Sequence, residues 1–246
     1  MDDSSLHKKV QGKVAIVTRG ASGIGEATAH LFADHGTLMV VIADIQDEQG
    51  QQVATSIGIN RCTYVPCDVT DEDQVNNDGI LNNDQKILEL DPFALDRLFA
   101  VNVRGMAACV KHAGRAMVDS GVRGSIICTA SAVASIGTRR HTDYIMSKHA
   151  VLGLIRSASL QLGMYGIRMN CVSPALVATP MTCKAYGMDM ESVGKVSSSH
   201  ISLEGMVLKV DHVAEAVLFL ASDASASFTG HDLAVDGGFL ASKALF

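Results

Sequence analysis

Tyr144 and Lys148 stand four residues apart in Tyr144-Ile-Met-Ser-Lys148, a spacing that puts a phenol and an ammonium on one face of a helix. A phenol with an ordinary pKa near 10 is a poor base at neutral pH. A neighbouring cation favours the phenolate and makes Tyr144 a usable acid and base. Ser131 lies thirteen residues upstream, at the end of the apolar Ile126-Ile127 run, where its hydroxyl can bond the same substrate oxygen. Alone, a tyrosine and lysine at this spacing are an ordinary solvated helix face. Their meaning comes from their company, because a proton-transfer site needs several elements to agree.

A second constellation lies near the N-terminus, in Thr18-Arg-Gly20-Ala-Ser22-Gly23-Ile24-Gly25. Glycines let a backbone turn tightly and approach a pyrophosphate, and a helix beginning near Ser22 offers free N–H groups and the positive end of its dipole. A glycine-rich turn is weak evidence unless it joins a strand to a helix. Here it does, and the next apolar run ends in Asp44, 19 residues after Gly25, where a carboxylate can bond both ribose hydroxyls of NAD. The same carboxylate repels a 2′-phosphate, so NAD is favoured over NADP. Asp44 as a mere strand-end or helix-cap residue is the plainer alternative.

The elements that must position these groups alternate. Apolar runs at Lys13–Thr18, Leu38–Ala43, Cys62–Cys67, Gly124–Thr129 and Ile167–Val172 read as strands. Between them lie helical patterns after the glycine turn, from about Pro92 to Val118 with Asp91 and Pro92 as N-cap and first residue, and from about Asp143 to Tyr165. This alternation predicts an α/β fold, a doubly wound parallel sheet with helices on both faces and ligands beyond the carboxyl ends of its strands.

The whole chain bounds the choices. It has 246 residues, 48% of them apolar, and no linker or repeat, which suits one domain over 1–246. A net charge of −6 gives no reason to expect nucleic acid or an anionic membrane as partner. Six separate cysteines, without a CxxC pair or zinc-ligand spacing, read as buried free thiols in a reducing compartment, and no metal is expected. The polar start and the lack of a long apolar run predict a soluble, cytoplasmic protein.

Together these motifs resemble the short-chain dehydrogenase/reductase family along nearly the whole chain. The resemblance rests on the glycine turn, Asp44, Asp68-Val69, Asn76-Asn77-Asp78-Gly79, Asn102, Ser131, Tyr144, Lys148, Ser173-Pro174 through Thr179-Pro180-Met181, and Asp236-Gly-Gly238. It implies a Rossmann fold that binds NAD with Gly20, Ser22, Gly23, Ile24, Gly25, Asp44, Ile45, Asp68, Val69, Asn77, Tyr144, Lys148, Pro174, Val177 and Thr179. Within that set it gives the adenine to Asp68 and Val69, and the nicotinamide carboxamide to Val177 and Thr179. It further implies catalysis by Ser131 orienting the alcohol or carbonyl, Tyr144 exchanging its proton, Lys148 on the nicotinamide ribose, and Asn102 holding a water that relays to Lys148.

The stretches Val40–Ile45, Ser147–Gly153 and Gly166–Pro174 are similar to the plant branch that oxidises secondary alcohols of terpenoids and lignans. The expected substrate is therefore a hydrophobic, borneol-like alcohol or its ketone, with a lignan diol or steroid as alternatives. Ser131, Ala132, Tyr144 and Met181 would touch it, beneath a methionine-bearing lid at about 181–210 that also carries Met188, Met190 and Met206. His141, Thr142 and the residues from Ala132 to Ile136 are expected beside them. Family members pair the two long helices between subunits, which implies a homotetramer built on surplus apolar residues such as Val101, Val103, Met106, Ala107, Val110, Leu152, Leu154 and Ile155.

Three features depart from the family pattern. Arg19 stands where the turn usually has glycine, and Asp78 where it usually has alanine. Between Val69 and Asn76 only six residues remain, whereas a helix and a central strand need on the order of 20. A cofactor-binding paralogue without turnover is the alternative that these departures favour.

Overall fold

The computed structural model describes residues 8–68, 81–82 and 85–242, so Val69 and the Asn76–Gly79 turn lie outside the described residues. The first half runs β1 Val14–Thr18, α1 Gly23–Asp34, β2 Met39–Asp44, α2 Asp47–Ile57 and β3 Cys62–Pro66. Then follow α3 Pro92–Phe99, α4 Met106–Asp119, β4 Ser125–Thr129, α5 Thr142–Gly163 and β5 Arg168–Pro174. The chain continues with α6 Pro180–Tyr186, α7 Met190–Ser198, α8 Val210–Ala221, β6 Asp232–Val235 and a short α9 Phe239–Ser242. All five strands read from the sequence are present within about two residues at either end. The sixth, β6, had no apolar run long enough to announce it.

Every strand pairing is parallel, as expected, but the strands form two three-stranded sheets, β1-β2-β3 and β4-β5-β6. Among the described residues no strand joins β1 to β4. The apolar run of β1 therefore has an open flank, with Val14 62% and Ile16 68% exposed. Helix α8 ties the halves together. Its Leu218 and Ala221 pack with Val17, Phe32 and Ile42 of the first half, while its Val213 and Leu220 pack with Val172 of the second. Ile127 of β4 touches both clusters.

The helix predicted from Pro92 is capped as expected, since the Asp91 carboxylate accepts from Phe93 N at 3.0 Å. It is not uniform, however: residues Ala100–Gly105 form a π-helical stretch between α3 and α4. Of the apolar residues expected at a subunit contact, Val101, Met106, Val110, Leu152 and Ile155 are buried within this chain, most of them beneath β4 and β5, whereas Val103, Ala107 and Leu154 are half-buried. Exposed apolar groups on this side are Met146 and Leu160 of α5 and Met164 just past its end.

The region expected to be a lid carries two short helices, α6 and α7. Thr179 and Thr182 form a capping box at the start of α6, Gly187 ends it with φ 61°, and the Asp189 carboxylate caps α7 by accepting from Ser192 N at 2.7 Å. Met188 and Met190 face outward and Met206 joins the second half's core, which leaves Met181 as the one of the four that reaches the cavity described below.

Tyr64 of β3 braces the end of β2, its hydroxyl donating to the Asp44 carbonyl at 2.7 Å and to the Asp47 carboxylate at 2.6 Å. Gly50 of α2 leaves room for that ring, for a Cβ there would lie 2.2 Å from two Tyr64 ring carbons. Glycine to alanine inside a helix ordinarily stabilises by roughly 0.5–1 kcal/mol. Gly50→Ala is expected to lower Tm instead, through overpacking worth about 1–3 kcal/mol. A Tm at or above that of the parent chain in thermal denaturation would refute the packing.

Candidate active site

The carboxyl ends of β1, β4 and β5 and the first turns of α1, α5 and α6 open onto one cavity of about 1860 Å³. Of the residues expected at the nucleotide and substrate sites, Ser22, Gly23, Ile24, Gly25, Ser131, Ala132, Tyr144, Lys148, Pro174, Val177, Thr179 and Met181 line it. Gly20, Asp44, Ile45, Asp68 and Asn102 do not line it, and Val69 and Asn77 lie outside the described residues.

The turn after β1 has the close-packed form that a phosphate cradle requires. A Cβ at Gly25 would fall 2.0 Å from the Arg19 carbonyl oxygen, so only glycine fits there. Gly23 takes φ +58° and faces the Thr179 methyl, which sets the start of α1 against the start of α6 across a narrow groove. Asp44, 2% exposed, holds the turn in shape: one carboxylate oxygen accepts from Ala21 N at 3.0 Å and the other from Gln46 N at 3.1 Å. The second oxygen also accepts from Gln46 Nε2 at 3.3 Å, so the oxygen bonded to Ala21 is the one that keeps a lone pair for a ribose hydroxyl. These residues fit a nicotinamide dinucleotide, with its pyrophosphate at the turn and its ribose near Asp44.

Arg19 modifies that groove. It holds φ +53°, a left-handed conformation costly for a branched-out side chain, and its Nη1 approaches the Met181 sulfur at 3.2 Å. The guanidinium thus crosses from the nucleotide turn to α6, close enough to act electrostatically on both Tyr144 and Lys148.

On the catalytic side, α5 brings Tyr144 and Lys148 together, as the spacing predicts. Lys148 Nζ donates to the Thr129 carbonyl at 2.9 Å and sits 5.5 Å above the Tyr144 ring centroid. Burial pushes this lysine down to about 8, with Arg19 adding repulsion. The expected drop in the Tyr144 pKa does not occur. Burial dominates and pushes the phenol up to about 12, while the hydrogen bond with Ser131 and the charge of Arg19 pull only weakly the other way. The reason is positional: the ammonium lies over the ring face and spends a proton on a strand-end carbonyl.

Asn102 is 1% exposed in the π-helical stretch, a backbone form often found at functional sites. Its Nδ2 donates to Ser147 Oγ at 3.1 Å, and that hydroxyl donates to the Tyr144 carbonyl at 2.8 Å. Asn102 therefore bonds the residue next to Lys148, supporting α5 from behind the cavity.

Two contributors, Asp143 and Tyr186, had no clear signal in the sequence. Asp143, fully buried, accepts from Asn82 Nδ2 at 2.7 Å and from Tyr144 N at 2.8 Å, clamping the first turn of α5. An acid beside the tyrosine in a helix's first turn was the available hint. Tyr186 of α6 packs edge-on to His141, with centroids 5.8 Å apart and planes at 78°. His141, expected beside the pocket, lines it with φ +59°, and its buried Nδ1 has no hydrogen-bond partner among the described residues.

Comparison with known proteins agrees with this architecture. A family model described as enoyl-(acyl carrier protein) reductase matches residues 20–240. The chain is 53% identical over 250 residues to a (−)-isopiperitenol/(−)-carveol dehydrogenase, mitochondrial, of Mentha piperita, covering 94% of each chain. It is 48% identical over 254 residues to a (+)-cis,trans-nepetalactol synthase of Nepeta racemosa, covering 96% of this chain and 93% of the relative. The second alignment is longer than this 246-residue chain. Subtracting the 96% of the chain that takes part leaves about 18 positions of the relative without a counterpart here. Short-chain dehydrogenase reductase 3b of Arabidopsis thaliana is 49% identical over 251 residues, covering 94% of this chain and 97% of the relative. A solved short-chain type dehydrogenase/reductase from Mycobacterium marinum superposes with a TM-score of 0.86 at 29% identity, covering 96% of this chain and 99% of that one. The glycine turn, the serine, tyrosine and lysine of the cavity and these relatives together place the chain in the short-chain dehydrogenase/reductase family.

Proposed function

We propose that this chain is an NAD-dependent dehydrogenase that oxidises a secondary alcohol of a hydrophobic, borneol-like terpenoid to the ketone. The observation that carries this reading is the convergence of Ser131, Tyr144 and Lys148 on the same cavity as the glycine turn. The mint relative's name, which gives it terpenoid alcohols as substrates, supports the substrate class. Bound NAD would supply the hydride acceptor. Ser131 Oγ orients the substrate oxygen, and Tyr144 Oη takes its proton during oxidation and returns it during reduction. Lys148, held by Thr129, keeps α5 and the phenol in register with the end of β4. A homotetramer built through α5 belongs to the same proposal, with Leu160 and Met164 as its exposed apolar groups.

A second reading, a binding paralogue without turnover, is favoured by Arg19, whose side chain crosses the cofactor groove. Cofactor titrations separate the two. Arg19→Gly is expected to bind NAD more tightly than the parent chain by releasing both the strained φ and the Met181 contact; equal or weaker binding would assign the guanidinium to the cofactor's phosphates. Asp44→Ala should lose most of the preference for NAD over NADP, on the order of 1–3 kcal/mol for a charged hydrogen-bond partner. An unchanged preference would remove Asp44 from the ribose site.

Tyr144→Phe should retain NAD binding and lose turnover by 100-fold or more, in the usual range of about 10²–10⁴ for a positioned acid or base. Turnover near that of the parent would sink the assignment. The pH profile gives an independent check. Because the phenol of the free protein is pushed up to about 12, its basic form grows with pH throughout the accessible range. Alcohol oxidation, followed as kcat/KM, should therefore climb from pH 7 to 9 without levelling. A plateau reached near 8 would instead point to Lys148 as the titrating base.

A further inference from the structure

Two departures from ordinary protein chemistry coincide at His141. Among the described residues, Arg19 and His141 are the non-glycine residues with positive φ, and His112, His141 and Arg168 carry the buried side-chain nitrogens that no hydrogen bond satisfies. His141 alone belongs to both sets. A left-handed backbone and an orphaned buried nitrogen each cost stability, and such costs persist where a site has a use for them. The position fits a site. His141 lines the cavity and stands at the N-cap of α5, three residues before Tyr144, and side chains at the N-cap and at the third helical residue are neighbours. Its own side chain makes no cap bond; the Asp143 carboxylate accepts from Tyr144 N instead.

The orphaned atom sets the hydrogen-bonding character of the ring. A neutral imidazole carries its proton on one nitrogen and a bare lone pair on the other. A buried N–H without an acceptor is a rarer defect than a lone pair without a donor, so Nδ1 keeps the lone pair and the proton belongs on Nε2. Tyr186 of α6 packs edge-on to the imidazole and holds it against the cavity wall. The same tyrosine acts electrostatically on Tyr144, so the three rings lie together at the catalytic end.

We infer that His141 is a substrate-binding residue whose Nε2–H donates to a second oxygen of the substrate, while Ser131 and Tyr144 hold the oxygen that reacts. The ligand this fits is a hydrophobic secondary alcohol with a hydroxyl, ether or carbonyl oxygen close to the carbinol carbon, rather than a singly oxygenated skeleton such as borneol itself. Glycine at this position would hold the same φ at lower cost, but it would remove the donor from the wall. The inference rests on the proposed dehydrogenase reading for the oxygen that reacts; the second oxygen rests on the orphaned nitrogen.

The test compares borneol with bornane-2,3-diol, one skeleton without and with an oxygen beside the carbinol. With NAD, the parent chain is expected to favour the diol in kcat/KM by about tenfold, the worth of one hydrogen bond. His141→Phe, which keeps an aromatic ring against Tyr186 and has no nitrogen, should bring that ratio close to one. His141→Gly, to which this φ is natural, should do the same and covers the case in which the phenylalanine variant fails to fold. Imidazole ¹⁵N NMR reads the contact without turnover, in the chain given NADH and either alcohol, which are both reduced and cannot react with each other. His141 should carry its proton on Nε2, and the resonance of that proton should move with the diol and stay in place with borneol. Equal kcat/KM for the two alcohols in the parent chain, a ratio unchanged in the variants, a proton on Nδ1, or no response to the diol would each overturn the inference. Absence of NADH from both alcohols would count against the proposed function alone, and the NMR response would then decide the role of His141.

Discussion

An ammonium group withdrawn from water has to be answered by an acceptor, and in this protein the acceptor for Lys148 is the carbonyl at the end of β4. That bond joins the catalytic helix to the strand that carries Ser131. It also orders the rest of the site: Asn102 and Asp143 hold the same helix from behind, and Ser131 meets the phenol from the strand side. Without it, a cation pressed into an apolar groove would be a cost with no return. With it, the lysine is a strut, and its charge acts on the ring face of Tyr144 more than on its hydroxyl.

This explains why the phenol is not the preformed base that a four-residue spacing suggests. Spacing reports that two side chains share a helix face, whereas a pKa depends on where each side chain ends and on how much water reaches it. The Tyr144 phenol is desolvated by burial and lies near Tyr186, and both influences oppose the phenolate. Arg19 then brings a permanent charge into a groove whose glycines are shaped for a pyrophosphate, so charge at this site depends on the nucleotide turn as much as on the catalytic helix.

The alternation of β-branched runs and helical patterns made the fold readable because parallel strands must be buried on both faces and so stand out as apolar blocks. The same property made Ser131, Tyr144, Lys148 and the glycine turn recoverable, since each is fixed to an element by its local spacing. Asp143, Asn82 and Tyr186 were hidden because they act through contacts between elements distant in the chain. The stretch expected as a lid shows a related limit, since its methionines were legible whereas the caps at Thr179, Gly187 and Asp189 that shape it into two helices were not. The shortage of residues after Val69 was legible as arithmetic alone. Among the described residues the sheet stands in two halves held by α8, which emerges only when the edges of β1 and β4 are located.

The central claim is that this cleft passes hydride from a secondary alcohol to a nicotinamide cofactor. It is tested most directly by following NADH formation by absorbance when the chain is given NAD and a panel of apolar secondary alcohols, carveol and borneol among them. The account predicts NADH production with a terpenoid alcohol, more slowly or not at all with NADP. Tight NAD binding with no NADH from any alcohol in the panel, at mildly alkaline pH where proton release favours oxidation, would contradict it.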